Sequence, residues 1–235
     1  MMTLTRRERL HTATREEIKM IARQHMAMEG AAALSLRAIA RDMGMSAPAL
    51  YRYYESRDDL ITALILDAYN AIADAINAAL NKYPVPDYAN RLYAGMLTYR
   101  AWALAYPADY VLIFGNPIPG YKAPGEATTY AARRTNTIFL QELQGAWQHK
   151  QLTIPAEYTD ILPQFQQQII GDEQRYGAEI PHPLLEILLA TWSKIHGMIS
   201  LELYSHLQPI IGDPGAFYRF EVLALLHRMG FTPDL

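Results

Sequence analysis

Apolar residues recur along this chain at intervals of three and four, the spacing of one helical face, and no stretch alternates with the period of two that a half-buried strand requires. The pattern predicts an all-α chain. A first helix of some fifteen residues is opened by the capping box Thr14-Arg-Glu-Glu17 and carries Ile18, Ile21, Ala22, His25 and Met26 along one stripe. Leu36, Ile39, Ala40 and Met43 share a face of a second, short helix, which Ser35 is placed to cap and Gly44 to end in the left-handed conformation. Ser46 caps a third, with Pro48 in its first turn, where a missing N–H does little harm, and with Leu50 and Tyr54 pointing inward one turn apart. A further capping box, Ser56-Arg-Asp-Asp59, opens a long helix from Arg57 to Lys82. Tyr83-Pro-Val-Pro-Asp87 breaks it, and helical patterns then run from Asp87 to Ala105, Pro107 to Phe114, Glu126 to Lys150, Pro155 to about Tyr176, Pro183 to about Leu207 and Pro214 to Met229. Asp213 before Pro214 is a good start signal for the last of them.

Two short helices around a glycine turn, the second basic and aromatic, are how a helix-turn-helix DNA reader is built. With Leu50 and Tyr54 inward, Ala47, Ala49, Arg52 and Tyr53 face out. Small side chains at the start of a surface helix let its backbone press against base edges, and the Arg and Tyr that follow hold phosphates or read a base.

The stretch Leu34 to Gly44, together with Ala49-Leu-Tyr-Arg-Tyr-Tyr-Glu-Ser-Arg-Asp-Asp-Leu60, resembles the tetracycline-repressor (TetR) family of one-component bacterial transcription regulators. The resemblance runs through roughly the first 65 residues, and the glycine turn, the Leu-Tyr-x-x-aromatic recognition helix and the basic residue opening the fourth helix stand at the family's spacing. Two positions depart from its pattern: Tyr54 where Phe is usual, and Arg57 where Lys is usual. The resemblance implies that Arg37 reaches a base, guanine O6 and N7 suiting its fork. Ala47, Pro48 and Ala49 would start the recognition helix and read bases by shape and apolar contact. It makes Tyr51, Tyr53 and Arg57 phosphate contacts, with Arg52 able to do either. With the two capping serines, Ser35 and Ser46, these form the candidate DNA-binding set. The expected organisation is a helix-turn-helix domain over residues 1–56, a connecting helix over 57–82 and a larger helical domain for ligand binding and dimerisation over 83–235.

The net charge of −3 would not by itself suggest a nucleic-acid binder, but its distribution does. Through Arg57 there are ten Arg and Lys against six acids, and beyond it eleven against eighteen, so the basic footprint is N-terminal. Arg6, Arg7 and Arg9 form either an arm toward the adjacent minor groove or a solubilising tail. The chain has no cysteine, hence no disulfide framework, thiol switch or Cys-based zinc site. No apolar h-region follows the basic start and no run of eighteen apolar residues occurs, so the expected location is cytoplasmic, with no membrane partner. No nucleophile, base and orienter stand in a recognisable motif, no phosphate loop is present, and His182, His196 and His206 are not at metal-ligand spacing. No catalytic residue, metal or cofactor is expected, and an enzyme is not the expected class.

The body is rich in aromatics at helical spacing. They serve either as plain core or as the wall of an apolar cavity with hydroxyl and indole donors, for which Tyr99, Trp102, Phe114, Tyr130 and Trp147 are the candidates. The Pro- and Gly-rich loop Gly115 to Gly125 is either a lid over that cavity or a rigid surface connection. Ala190-Thr-Trp-Ser-Lys-Ile-His-Gly197 resembles the WHG-type C-terminal domain of one TetR subgroup. Within it His196 is either a ligand contact or a buried, hydrogen-bonded structural histidine, and Gly197 offers a place for another helix to approach. The last two helices carry more apolar surface than one packing layer needs. Leu188, Ile195, Ile199 and Leu203, with Val222 and Leu226, are the candidate dimer interface, and the resemblance implies a two-fold four-helix contact that sets two readers on a palindromic DNA operator. The expected function is a homodimeric repressor released by a small apolar or aromatic effector. The alternative is a constitutive DNA-binding protein, which would have a solid core in place of a cavity.

Overall fold

The computed structural model describes residues 5–159 and 181–234. Every regular element among them is helical: α1 Arg6–Glu29, α2 Leu36–Asp42, α3 Ala47–Leu50, α4 Arg57–Leu80, α5 Tyr88–Ala105, α6 Pro107–Phe114, α7 Gly125–Gln148, α8 His182–Leu203 and α9 Pro214–Arg228. The helix expected from Pro155 to Tyr176 falls mostly outside the described residues, and its start forms one 3-10 turn, Ala156–Tyr158.

The described chain divides into two compact units, one of residues 1–70 with 106–131, the other of 71–105 with 132–235. This differs from a boundary at Tyr83 to Asp87. The reason lies in long-range packing: Leu112 is buried in the same core as Ile18, Ile39, Leu50 and Leu60, and Ile113, Ile118 and Tyr121 pack against it.

In the first unit, α1 begins at Arg6 and not near Thr14. Thr5 and Glu8 form the capping box that starts it, while the Thr14 hydroxyl donates back to the Leu10 carbonyl inside the helix. Arg6, Arg7 and Arg9 are therefore helical, neither arm nor tail. Charged pairs tie α1 to its neighbours. Lys19 bridges Glu16 and Asp67 at 2.8 and 2.5 Å, and the Arg23 Nε donates to both oxygens of Asp109 at 2.9 and 3.0 Å. Burial pushes the Asp109 carboxyl up from its usual range, and the Arg23 charge opposes that shift. The loop from 115 to 125 is fastened to this unit, the Tyr121 and Thr62 hydroxyls sharing a hydrogen bond at 3.0 Å.

The second unit is held by a buried fork. Arg91 donates to both oxygens of Glu142 at 2.7 Å, and its Nη1 donates to the carbonyls of Leu80 and Tyr83 at 3.1 and 2.9 Å, so the same guanidinium satisfies a last-turn carbonyl of α4. Arg100 forks onto Glu202 of α8, and the Tyr218 hydroxyl of α9 donates to the Met96 carbonyl at 2.7 Å. Asp213 caps α9 through Ala216 N, with Pro214 in the first turn. The α8 helix is long and apolar enough by composition to cross a membrane, but Leu184, Leu188, Ile195 and Ile199 are buried in this unit.

Candidate nucleic-acid interface and ligand cavity

The reader is assembled from local signals. Ser35 Oγ accepts from Ala38 N at 3.4 Å and sets the start of α2, which leaves Arg37 exposed in the first turn. Gly44 has φ +63°, the left-handed value that closes α2, and Met45 N returns to the Ala40 carbonyl at 2.8 Å. The recognition helix α3 is a single turn, Ala47–Leu50, continued by turn residues to Tyr54. Ser46 stands at its N-cap position, but its hydroxyl makes no capping bond; its carbonyl accepts from Ala49 N and Leu50 N. With Leu50 and Tyr54 buried, Tyr51 and Arg52 are exposed, as is Pro48, while Ala47, Ala49 and Tyr53 are half-buried. Arg15 of α1 fixes the end of this segment, its Nη1 donating to the Tyr53 carbonyl at 2.8 Å and its guanidinium lying 4.3 Å from the Tyr54 ring centroid.

Arg57, in the first turn of α4, borders a cleft lined also by Ser35, Arg37, Tyr51, Glu55 and Ser56. Its Nε and Nη2 are buried and have no hydrogen-bond partner among the described residues. An orphaned donor on a charged group costs about 1–3 kcal/mol or more; these two nitrogens are closed to solvent, so a phosphate in the cleft would meet the charge of Arg57 and would bond them only after the side chain turns. The Tyr54 hydroxyl is likewise buried without a partner, so the tyrosine that stands where the family has Phe carries a polar atom the core does not use.

The second unit contains an apolar cavity of about 20 Å³, room for about one water. It is lined by Leu92, Met96 and Tyr99 of α5, Asn136, Phe139 and Leu143 of α7, Leu188, Thr191, Trp192 and Ile195 of α8, and Met229. Among the described residues, no charged side chain lines it. The Tyr99 hydroxyl and His196 Nδ1 share a hydrogen bond at 3.3 Å, and the His196 ring stacks on Trp192 with centroids 5.1 Å apart. Burial holds the His196 imidazole below its ordinary pKa and so favours the neutral ring.

Of the aromatics chosen from sequence, Tyr99 lines this cavity and His196 backs its wall. Trp102 is buried but does not line it. Phe114 lies in the first unit against Tyr69 and Tyr110, and Tyr130 and Trp147 are on the surface, 75% and 43% exposed, because aromatic spacing alone does not say which helix face turns inward. The sequence reading missed Phe139, Thr191 and Asn136 as lining residues and placed Leu188 and Ile195 elsewhere; Trp192 stood in a motif already singled out. The Gly115 to Gly125 loop contributes no residue to the cavity.

The candidate interface residues also need correction. Leu188, Ile195, Ile199, Val222 and Leu226 are buried within one chain and Leu203 is half-buried, so the stripe is spent on the core. The face left open on α8 carries Leu189, Ser193, Gly197 and Leu201 at four-residue spacing, and Phe220 of α9 is 65% exposed. A Cβ on Gly197 would meet nothing within 4 Å among the described residues.

A cap-turn-helix reader with exposed cations in one unit and a small apolar cavity in the other are the parts of a DNA-binding transcriptional regulator. Comparison with known proteins agrees. Residues 21–64 match the family described as bacterial regulatory proteins, tetR family, and residues 92–225 match the tetracyclin repressor-like C-terminal domain. The HTH-type transcriptional regulator Rv1816 of Mycobacterium tuberculosis is 31% identical over 203 residues, 84% of each chain. The solved structure of the regulatory protein SCO4313 is 39% identical with a TM-score of 0.77 over 95% of this chain and all of that one. A tetR-family regulator from Rhodococcus RHA1, at 20% identity and a TM-score of 0.63 over 93% and 97% of the two chains, shares the fold. The chain belongs to the TetR family of transcriptional regulators.

Proposed function

We propose that this regulator is a ligand-responsive repressor, working in the cytoplasm as a homodimer on a palindromic operator. Residues 1–56 would form its DNA-binding domain and Arg57 to Lys82 its connecting helix. The observation that supports the ligand response is the apolar cavity in the second unit, a one-water space around which a ligand site would open. Its described lining supports the ligand's class: apolar walls with Tyr99, Asn136 and Thr191 as polar groups suit an uncharged, mostly apolar effector. At its present volume the cavity admits such a molecule only if side chains give way, and Met96 and Met229, unbranched and adaptable, are suited to that. The α4 helix supplies residues to both units, so its setting is the equilibrium both ligands bias; the effector acts by binding one setting more tightly than the other. The dimer face is the open side of α8, through Leu189, Gly197 and Leu201, together with Phe220.

The test is a titration of uncharged apolar compounds, with charged analogues alongside, against complexes of the protein and a duplex it has selected from a random pool. An effector should weaken DNA binding by roughly 5- to 150-fold, and DNA should weaken its binding by the same factor. Thr191→Phe should blunt the response while sparing DNA affinity. A broad panel with no effect, or one in which only charged compounds act, contradicts this assignment.

A further inference from the structure

The arginines that open α1 are not accounted for by the reader described above, and their surroundings give them a task. Arg6 and Arg7, with Leu10, His11, Arg52 and Tyr53, line a solvent-open cleft that shares no residue with the one bordered by Arg57. Successive residues of the recognition segment thus serve different clefts, Tyr51 one and Arg52 with Tyr53 the other. Among the described residues, no acid lines the α1 cleft. The nearby Glu8 is occupied at the start of the helix, where it accepts from Thr5 N at 2.7 Å and from the Thr5 hydroxyl at 2.9 Å. The cleft is also built and not merely charged. Its His11 and Tyr53 rings stack with centroids 4.8 Å apart, and Tyr53 is held by Arg15.

We propose that this cleft is a second phosphate-binding site, in which Arg6, Arg7 and Arg52 clamp the backbone of one DNA strand while the Arg37, Tyr51 and Arg57 cleft takes the other. The inference rests on the DNA-binding reading and deepens it. Three like charges around one open space repel until an anion enters, and each strand of duplex DNA presents one phosphate per about 3.4 Å of helix axis. A reading element in the major groove has a backbone on either side of it, and two separate cationic clefts meeting at the Tyr51 and Arg52 junction match that arrangement. Because Arg6 and Arg7 are ordered in a helix, they contribute positioning charge and not the base reading of an extended arm in the minor groove.

The test measures affinity against salt for the wild type, Arg6→Gln/Arg7→Gln and Arg52→Gln, on a duplex the wild type selected from a random pool and on its scrambled version. Each phosphate contact adds about 0.9 to the slope of log affinity against log salt, so with two chains on the duplex the double variant should lose about 3.6. Between 50 and 200 mM salt, the wild type should then lose about 150-fold more affinity than the double variant. Both duplexes should be affected alike, Arg52→Gln should lose about half as much slope, and Arg6→Lys/Arg7→Lys should restore it. An unchanged slope with an unchanged melting curve overturns the clamp, and a loss confined to the selected duplex replaces it with a base-reading arm. If the wild type enriches no duplex from the pool, the DNA-binding reading falls and the clamp with it, whereas a wild type that binds beside variants of unchanged slope overturns the clamp alone.

Discussion

The two units draw on similar helices and similar numbers of arginines but treat their cations in opposite ways. In the second unit Arg91, Arg100, Arg134 and Lys194 are paired with Glu142, Glu202, Asp74 and Glu221, so positive charge there holds helices together. In the first unit the cations divide by face. Arg15, Lys19 and Arg23 are turned inward onto a carbonyl, two acids and a third acid, whereas Arg6, Arg7, Arg37 and Arg52 have no acidic partner among the described residues, and Arg57 has two buried nitrogens with none. A net-charge count does not separate these roles. What marks the candidate nucleic-acid surface is unpaired charge gathered around two clefts, and what marks the cavity is that none of its described lining residues is charged.

The largest effect should come from unpairing a cation that is spent on structure. Arg91→Ala leaves Glu142 buried and alone and the Leu80 and Tyr83 carbonyls without their donor, at a cost of about 3–5 kcal/mol. Denaturant unfolding checks it, and Arg91→Met combined with Glu142→Leu should recover most of the loss. Replacing a cation that is not spent should do the reverse. Arg37→Ala should leave the melting curve nearly in place yet weaken binding to the selected duplex by about 1–3 kcal/mol and relax preference at one base pair. Equal losses on selected and scrambled DNA would move Arg37 from base reading to phosphate contact.

Tyr54→Phe should raise stability by about 1 kcal/mol, because it deletes a buried hydroxyl that has no partner and leaves the packed ring. A lower Tm would show that the hydroxyl has found one. The smallest effect is a pH dependence. Burial lowers the folded-state pKa of His196 from the ordinary 6.5, so the neutral ring's contribution is complete above about 6.5 and falls away as the pH drops from there toward the depressed value. His196→Gln should flatten that acid-side loss, as thermal melts from pH 7.5 down to about 5 would record.

Local chemistry carried the reader through the sequence with little loss. Ser35, Gly44, Leu50 and Tyr54 each act within a few residues of themselves, and the structure places them as their spacing requires. The same locality misled at α1, where Thr14-Arg-Glu-Glu17 and Thr5-Arg-Arg-Glu8 are equally good capping boxes and only the extent of the helix decides between them. Long-range facts were out of reach. Arg23 and Asp109 are 86 positions apart, and the packing around them is what draws Pro107 to Tyr121 to the reader and not to the cavity. Burial was read more easily than orientation: the stripe through Leu188, Ile195 and Ile199 is indeed the apolar one, but an apolar stripe has the same pattern whether it meets its own chain or a second copy. Tyr130 and Trp147 failed for the same reason.

The central claim is that the unspent cations of the first unit are presented twice, by two copies of the chain, to one duplex. Selection of duplexes from a random pool by the wild-type protein, followed by sequencing of what is retained, tests it most directly. The account predicts an inverted repeat whose half-sites are separated by one or more helical turns and which binds two chains. Enrichment of a single unrepeated site bound by one chain, or of no sequence at all, would contradict it.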